Sequence, residues 1–265
     1  MSQYSLELSD AEVARYQLMA GQARGTEAAQ WQAAGICPGA RVADIGCGPG
    51  AVLAAMADVV GDTGSVVGID AAPAAIAAAA ELIDRENLTN ARVQLGEAVT
   101  TGLDPDSFDV VVMRHVLAHN GGLEQSIVDH LVTLVRPGGC LYVVDVEMTA
   151  MRLCPASPDI EDLIGAYGEF HRSHGNDPQI GLRLAELLRT AGLEVLDHRG
   201  FYSIVSAPPG MRPPAWAARE AMLAAGQVTE ADLSRWETAF ELSDAAPERP
   251  NMFVPQFSAT GRRTA

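Results

Sequence analysis

With 265 residues and a hydrophobic content of 48%, the chain can build one α/β domain with additions or two small domains, and an aromatic share of 5% means a core made mainly of Ala, Val, Leu and Ile. The formal net charge of −16 repels phosphate backbones and anionic lipid, which argues against a nucleic-acid substrate or a membrane-surface role. All 18 basic residues are arginine, and a chain without lysine has no Schiff-base nucleophile, P-loop lysine or lysine general base.

Residues 1–36 read as helical: Ser9 followed by Glu12 is a capping box, and Thr26 with Glu27 can open a second helix carrying Trp31. After Pro38-Gly39 comes the apolar strand 41–45, which runs straight into Asp44-Ile-Gly-Cys-Gly-Pro-Gly50 and a helix over 51–60. A buried strand over 65–69 ends at Asp70, a helix spans 71–84 with Pro73 in its first turn, and a third strand spans 91–95. The continuous apolar run 108–113 is a fourth strand, the helix 123–135 stops at Pro137-Gly-Gly139, and 140–146 is a fifth. Five alternations in about 110 residues predict βαβ units and a parallel sheet covered on both faces.

Beyond residue 147 the alternation breaks. A mixed segment over 148–177 is helical around 160–173; an amphipathic helix follows over 180–191 with Leu182, Leu184, Leu187 and Leu188 on its apolar face. Residues 194–206 read as strand, 207–250 as a proline-rich start and two helices, the second capped by Thr229, and 251–260 as a last strand. The expected fold is α/β: a Rossmann-like, doubly wound, mostly parallel seven-stranded sheet with a helical N-terminal segment and helical lid insertions. In domain terms, 1–36 is a helical cap, 37–206 the core with a lid-like insertion at 148–178, 207–250 a helical insertion, and 251–265 the last strand and tail. Cys37, Cys47, Cys140 and Cys154 have no metal-type spacing and read as reduced thiols. Glu7, Asp10 and Glu12 stand where a signal peptide would be basic, and no apolar run nears the roughly 18 residues of a membrane span, so a cytoplasmic location is expected.

Four stretches, in this order and spacing, carry a resemblance: Val42-Ala-Asp-Ile-Gly-Cys-Gly-Pro-Gly50, Val66-Val-Gly-Ile-Asp70, Ser107-Phe-Asp-Val-Val-Val-Met-Arg114 and Leu134-Val-Arg-Pro-Gly-Gly139. Over roughly residues 40–200 the chain resembles the class I methyltransferases that use S-adenosylmethionine. Within them it is most similar to the small-molecule branch of ubiquinone and menaquinone biosynthesis and bacterial natural-product enzymes. Asn176-Asp-Pro and Phe257-Ser-Ala-Thr-Gly-Arg262 are also common there.

The resemblance implies that S-adenosylmethionine is the cofactor. Asp44, Gly46, Cys47, Gly48 and Gly50 would cradle its methionine end, where glycines let backbone approach a ligand and a helix N-terminus faces its carboxylate. Asp70, with Ala71 beside it, would take the ribose hydroxyls, a charge-assisted contact. Glu97 and Ala98 fall where the family contacts adenine, with Glu in place of the more usual Asp. Arg114 would line the methionine end, and Tyr4 and Tyr16 lie in a segment that closes over the cofactor in that family. Gly46, Gly48, Ala51 and Asp70 also fit the dinucleotide fingerprint, so a nicotinamide-dependent oxidoreductase is an alternative, as are a cyclase-like catalyst that binds S-adenosylmethionine without transferring methyl and a non-catalytic binding module.

Methyl transfer is an in-line displacement dominated by positioning, and a base is needed only where the acceptor must lose a proton. His115 and His119 after the fourth strand are the expected catalytic bases, with Asp145 and Glu147 as further candidates. His171 and His174 belong to the lid-like segment, and the histidine spacings lack the carboxylate or thiolate a metal would need, so no metal is expected. No Asp/Asn-Pro-Pro-Tyr/Phe or Pro-Cys motif for base methylation exists, which leaves a small-molecule acceptor. Trp216, Trp236 and Phe240 are expected to pack the added helices onto the sheet or onto a second subunit of a homodimer.

Overall fold

The computed structural model describes residues 10–206 and 208–264. Tyr4 and the capping residue Ser9 lie outside the described residues. Two helices, α1 (Asp10–Thr26) and α2 (Ala28–Ala34), precede the sheet. Thr26 closes the first of these instead of opening the second, and Glu27 occupies the position before α2 with its side chain fully buried.

Strands β1 (Arg41–Ile45), β2 (Ser65–Asp70), β3 (Ala91–Leu95), β4 (Phe108–Arg114) and β5 (Val135–Val146) run parallel, connected through α3 (Ala51–Val60), α4 (Pro73–Glu86) and α5 (Glu124–Leu134). Chain order then continues through β6 (Arg152–Cys154), α6 (Pro158–Ser173), α7 (Leu184–Thr190), β7 (Glu194–Val205), α8 (Pro214–Ala217), α9 (Arg219–Ala224), α10 (Glu230–Ala245) and β8 (Asn251–Arg262). Among the described residues the sheet has eight strands in the order β3-β2-β1-β4-β5-β8-β6, with β7 on the free side of β8. The eighth is the three-residue β6, a piece too short to show a period in the sequence; it pairs antiparallel with the start of β8. β8 also runs antiparallel to β5 and β7.

The central strands alternate between two cores, as the pleat requires. Val111 and Met113 join the cluster under α5 and α7 with Ile127, Leu131, Leu184 and Leu188. Val110 and Val112 face the opposite cluster with Trp31, Leu53, Met56 and Tyr142. Each fully buried side chain of this size contributes about 1.5–3 kcal/mol relative to exposure. A third cluster, Leu163, Tyr167, Met222, Trp236 and Phe240 among its members, belongs to α6 and α8–α10.

The predicted helix over 180–191 divides into a tight turn, Ile180–Arg183, and α7, so Leu182 falls off the apolar stripe and is half exposed. The turn lies so close to β5 that a Cβ on Gly181 would sit 2.9 Å from the Val146 carbonyl oxygen. In 207–250 there are three helices, two of them short, and Thr229 and Asp232 form a reciprocal capping box at α10. Among the described residues no helix is long and apolar enough to cross a membrane.

Candidate active site

β1 lies between β2 and β4, and the chain leaves their carboxyl ends in different directions, which opens a crevice where open α/β sheets bind ligands. The crevice widens under α6 and α8–α10 into one cavity of about 1270 Å³. Its two ends differ in chemistry.

At the sheet end the turn after β1 is held by Gly46 and Cys47 N–H groups, both donating to the Ile69 carbonyl at 2.7 and 3.0 Å. Gly46 has a φ of +77° and a Cβ there would run into Val116. Gly50, at φ +83°, precedes α3 with Ala79 packed against it. Only glycine tolerates both the left-handed backbone and these close approaches. The Asp70 carboxylate accepts hydrogen bonds from Gly48 N–H and Ala72 N–H, each at 2.9 Å, and so fixes the glycine turn while its remaining lone pairs stay in reach of the cavity. Tyr16 from α1 lies over Gly48, its ring 3.5 Å from where a Cβ would stand.

Asp44 is 2% exposed, and its Oδ2 has no hydrogen-bond partner. Burial pushes its pKa up to about 7, with the Arg114 charge opposing and the Asp70 charge reinforcing the shift. A cationic ligand group supplies what this carboxylate lacks, so the turn fits the α-ammonium of a methionine moiety. Cys47 is buried under β2, and its thiol is held protonated by burial and by the charges of Asp44 and Asp70. Ala71, the exposed Glu97, and Ala98 line the same cavity.

His115 and His119 both line the cavity. His115 takes a left-handed backbone, φ +57°, at the sharp exit from β4, and its N–H donates to the Val144 carbonyl. His119 sits 4.8 Å, centroid to centroid, from His171. Burial and the nearby His174 lower the His171 pKa to about 4, so its ring is neutral. Asn176 joins two loops: its Oδ1 accepts from Gly121 N–H at 2.9 Å and its Nδ2 lies 3.1 Å from His171 Nδ1. Asp145 also reaches the cavity, but its oxygens accept from Val146 N–H at 2.9 Å and Ala118 N–H at 3.2 Å, so it shapes the turn that carries His119. Burial raises its pKa to about 7 against those bonds. Glu147 is turned away: its Oε1 accepts from Thr149 N–H and Oγ1 and from Gln179 Nε2, which removes it from the candidate bases.

A family model described as a methyltransferase domain matches residues 36–170, just over half of the chain. The chain belongs to the S-adenosylmethionine-dependent methyltransferase family. It is 40% identical over 103 residues to a nocamycin O-methyltransferase of Saccharothrix syringae, covering 38% of this chain and 36% of that protein. It is 31% identical over 166 residues to a ubiquinone biosynthesis O-methyltransferase of Xanthomonas campestris, covering 62% and 66%. The matched stretch spans 44% and 30% of two other relatives, a transposon protein of Streptomyces fradiae and an arsenite methyltransferase of Halobacterium salinarum. The fold is shared with a SAM-dependent methyltransferase from Aquifex aeolicus, with a TM-score of 0.55 at 15% identity over 97% of this chain and 100% of that one. It is also shared with the [4+2]-cyclase SpnF, with a TM-score of 0.53 at 20% identity over 99% and 86%.

Arg114 does more than line a wall. Its Nη2 forms a 2.6 Å ion pair with Glu27 Oε1, and Glu27 Oε2 accepts from Tyr142 OH at 3.0 Å and Trp31 Nε1 at 3.3 Å. A buried carboxylate with three donors ties the start of α2 to β4 and β5 directly behind the glycine turn. Sequence reasoning read Glu27 as part of a helix start; the one signal of its burial was an acidic residue four positions before Trp31. It also missed the far end of the cavity, where Arg212, Phe240 and Arg249 stand. Among the described residues no group of three His, Cys, Asp or Glu side chains converges as for a metal.

Proposed function

We propose that this protein transfers the methyl group of S-adenosylmethionine to an oxygen, nitrogen or carbon of a small-molecule acceptor. The observation that carries this reading is the single cavity joining an anion-poor, apolar chamber to a turn whose buried aspartate lacks a partner. When bound, the cofactor supplies a methyl carbon activated by its sulfonium. Asp44 accepts the ammonium, Gly46, Gly48 and Gly50 keep side chains out of the way, and Asp70 takes the ribose hydroxyls while steadying Gly48. Ala71, Glu97 and Ala98 border the base, and Tyr16 covers the turn from α1. The buried Arg114 balances part of the Asp44 charge at the floor.

The chain then has to hold the acceptor in line and exclude water, which supplies much of the rate enhancement of such displacements. His119, or His115 beside it, takes the acceptor proton where one must leave. The neutral ring of His171 against His119 raises no repulsion to the imidazolium that results. The acidic net charge and apolar chamber support a small metabolite over a nucleic acid.

Incubating the protein with labelled S-adenosylmethionine and a panel of phenolic, amine and carboxylic acceptors tests the reading: S-adenosylhomocysteine should accumulate with at least one. With that acceptor, His119→Ala or His115→Ala should lower kcat by about 10²–10⁴-fold. Full activity in both variants removes histidine from the mechanism. Tight cofactor binding with conversion of a substrate but no methyl transfer would instead support a cyclase-like catalyst.

A further inference from the structure

Next to Asp70 the cavity is bordered by a turn that lies outside every helix and every strand of the sheet. Gly96, Glu97, Ala98 and Val99, just after β3, line the cavity there. The turn is narrow: Thr100 N–H donates to the Glu97 carbonyl at 2.9 Å, and a Cβ on Gly96 would sit 3.0 Å from the Thr101 carbonyl oxygen. Its near end is tied to the sheet by Gly96 N–H, which donates to the Asp70 carbonyl at 3.0 Å. Its far end is tied to α5, where His130 Nε2 lies 3.1 Å from Thr101 N and 2.9 Å from Thr101 Oγ1. His130 stands behind the turn and is not among the residues that line the cavity.

The protonation state of His130 follows from its partners. A backbone N–H only donates, so Nε2 offers its lone pair to Thr101 and the ring proton is on Nδ1. Thr101 Oγ1 accepts from Leu103 N–H at 3.3 Å, which leaves its own hydrogen for the same ring nitrogen. Thr101 is buried, so a proton on Nε2 would set two N–H groups against each other and leave the Thr101 amide without its acceptor. The charged side chains on the elements around His130 are Arg92 on β3, Glu97, Asp104 and Asp106 on the loop, Asp129 on α5 and Arg263 in the tail. Asp106 pairs with Arg263, and Asp129 accepts from Gln125 Nε2 at 2.8 Å. Burial is what lowers the His130 pKa and keeps the ring neutral.

We propose that His130 is a positioning residue for the methyl donor: its neutral ring pins the turn 96–101 in the shape that borders the adenine end of the site, so donor binding is linked to a proton held outside the cavity. Protonating His130 releases Thr101 and loosens the turn, and the donor binds more weakly as pH falls. Binding is reciprocal, so the donor in turn disfavours the proton; a ten-fold difference in affinity between the two forms of His130 appears as a fall of about one in its pKa when the donor binds. This inference rests on the reading of that end of the cavity as the donor site.

The test is nitrogen-15 NMR of the whole protein labelled at histidine, with and without saturating S-adenosylhomocysteine, beside calorimetry with the same ligand. His130, one of six histidines, is assigned by the signal missing from His130→Gln. It should show the Nδ1–H tautomer in the free protein, and its pKa should fall by about one when the ligand binds. His130→Leu should bind the ligand about ten-fold more weakly at about pH 8, as expected for a lost buried acceptor. His130→Gln, whose amide oxygen reaches the place of Nε2, should restore most of that affinity without titrating. Between about pH 8 and about pH 5 the parent should lose about three-fold or more affinity beyond the loss in His130→Gln, which separates this proton from that of Asp44. A ring proton on Nε2, a His130 pKa equal with and without ligand, or a His130→Leu variant that binds as the parent does overturns the proposal. A histidine with a structural role alone would weaken binding in His130→Leu and leave its own pKa unmoved by ligand. Failure of the parent to bind S-adenosylhomocysteine removes the donor reading and this inference with it, whereas normal binding with an unmoved His130 removes this inference alone.

Discussion

At the scale of single residues, an unpartnered carboxylate oxygen such as Asp44 Oδ2 costs about 1–3 kcal/mol in an interior where nearly every polar atom is satisfied. Asp44 holds a proton up to about pH 7 in the ligand-free protein. An ammonium placed against it favours the ionised form, so binding S-adenosylhomocysteine should expel that proton. Calorimetry in buffers of different ionisation enthalpy should show close to one proton released near about pH 6, falling toward zero above about pH 8, and none in Asp44→Asn. Asp70 makes a different case, because its bonds to Gly48 and Ala72 are present without ligand. Asp70→Ala should therefore weaken cofactor binding by about 1–3 kcal/mol through both the lost ribose contact and the loosened turn; unchanged affinity would show that the ribose sits elsewhere. Both aspartates stood out in the sequence because Asp44 stands two residues before Gly46 at the end of β1 and Asp70 closes β2. Glu27 did not, since its partners Arg114 and Tyr142 lie 87 and 115 residues further on and no local pattern announces a contact of that range.

At the scale of elements, that glutamate makes α2 part of the sheet's support. Glu27 and Arg114 are 1% and 7% exposed, so removing one strands the other as a buried, uncompensated charge. Glu27→Ala should cost about 3–5 kcal/mol in urea unfolding, whereas the paired replacement Glu27→Leu with Arg114→Met should recover much of it. A loss below about 1 kcal/mol would mean that water reaches the pair. The elements most legible from sequence are those with a strong buried pattern and glycine at their ends, β1, β2 and α3, together with β4, whose apolar run is unbroken from Val110 to Met113. Those that escaped are set by tertiary contact. The turn Ile180–Arg183 exists because Gly181 presses on β5, and β6 exists because β8 offers an edge to three residues with no pattern of their own. Likewise the helices before residue 229 are too short to show a period, while Thr229, a local capping signal, was legible.

At the scale of the whole molecule, buried titratable groups of opposite kinds bend the stability curve in opposite directions. Asp44 and Asp145 each titrate at about 7 in the fold and near 3.8 when unfolded, so the native state holds extra protons between those values and their contribution to stability falls as pH rises through the window. His171 titrates at about 4 in the fold and near 6.5 when unfolded, so its contribution is lost as pH falls through that range. Urea unfolding at successive pH values should show Asp44→Asn and Asp145→Asn gaining on the parent as pH rises from about 4 to 7, by up to about 1.4 kcal/mol per pH unit each. His171→Gln should gain as pH falls from about 6.5 to 4. Parallel curves for all four proteins would show that these groups are solvated.

The helices α6 and α8–α10 close over the cavity with an apolar cluster of their own, distinct from the two that sandwich the sheet. A chain arranged in this way can be re-specified piecemeal. Exchanges at Ile160, Ile164 or Phe240 reshape the chamber proposed to admit the acceptor, while Gly46, Asp70 and the strands beneath them keep their packing. Descendants of such a scaffold can diverge in what they modify without relearning how to grip the donor, and a laboratory library confined to that one cluster samples the same freedom.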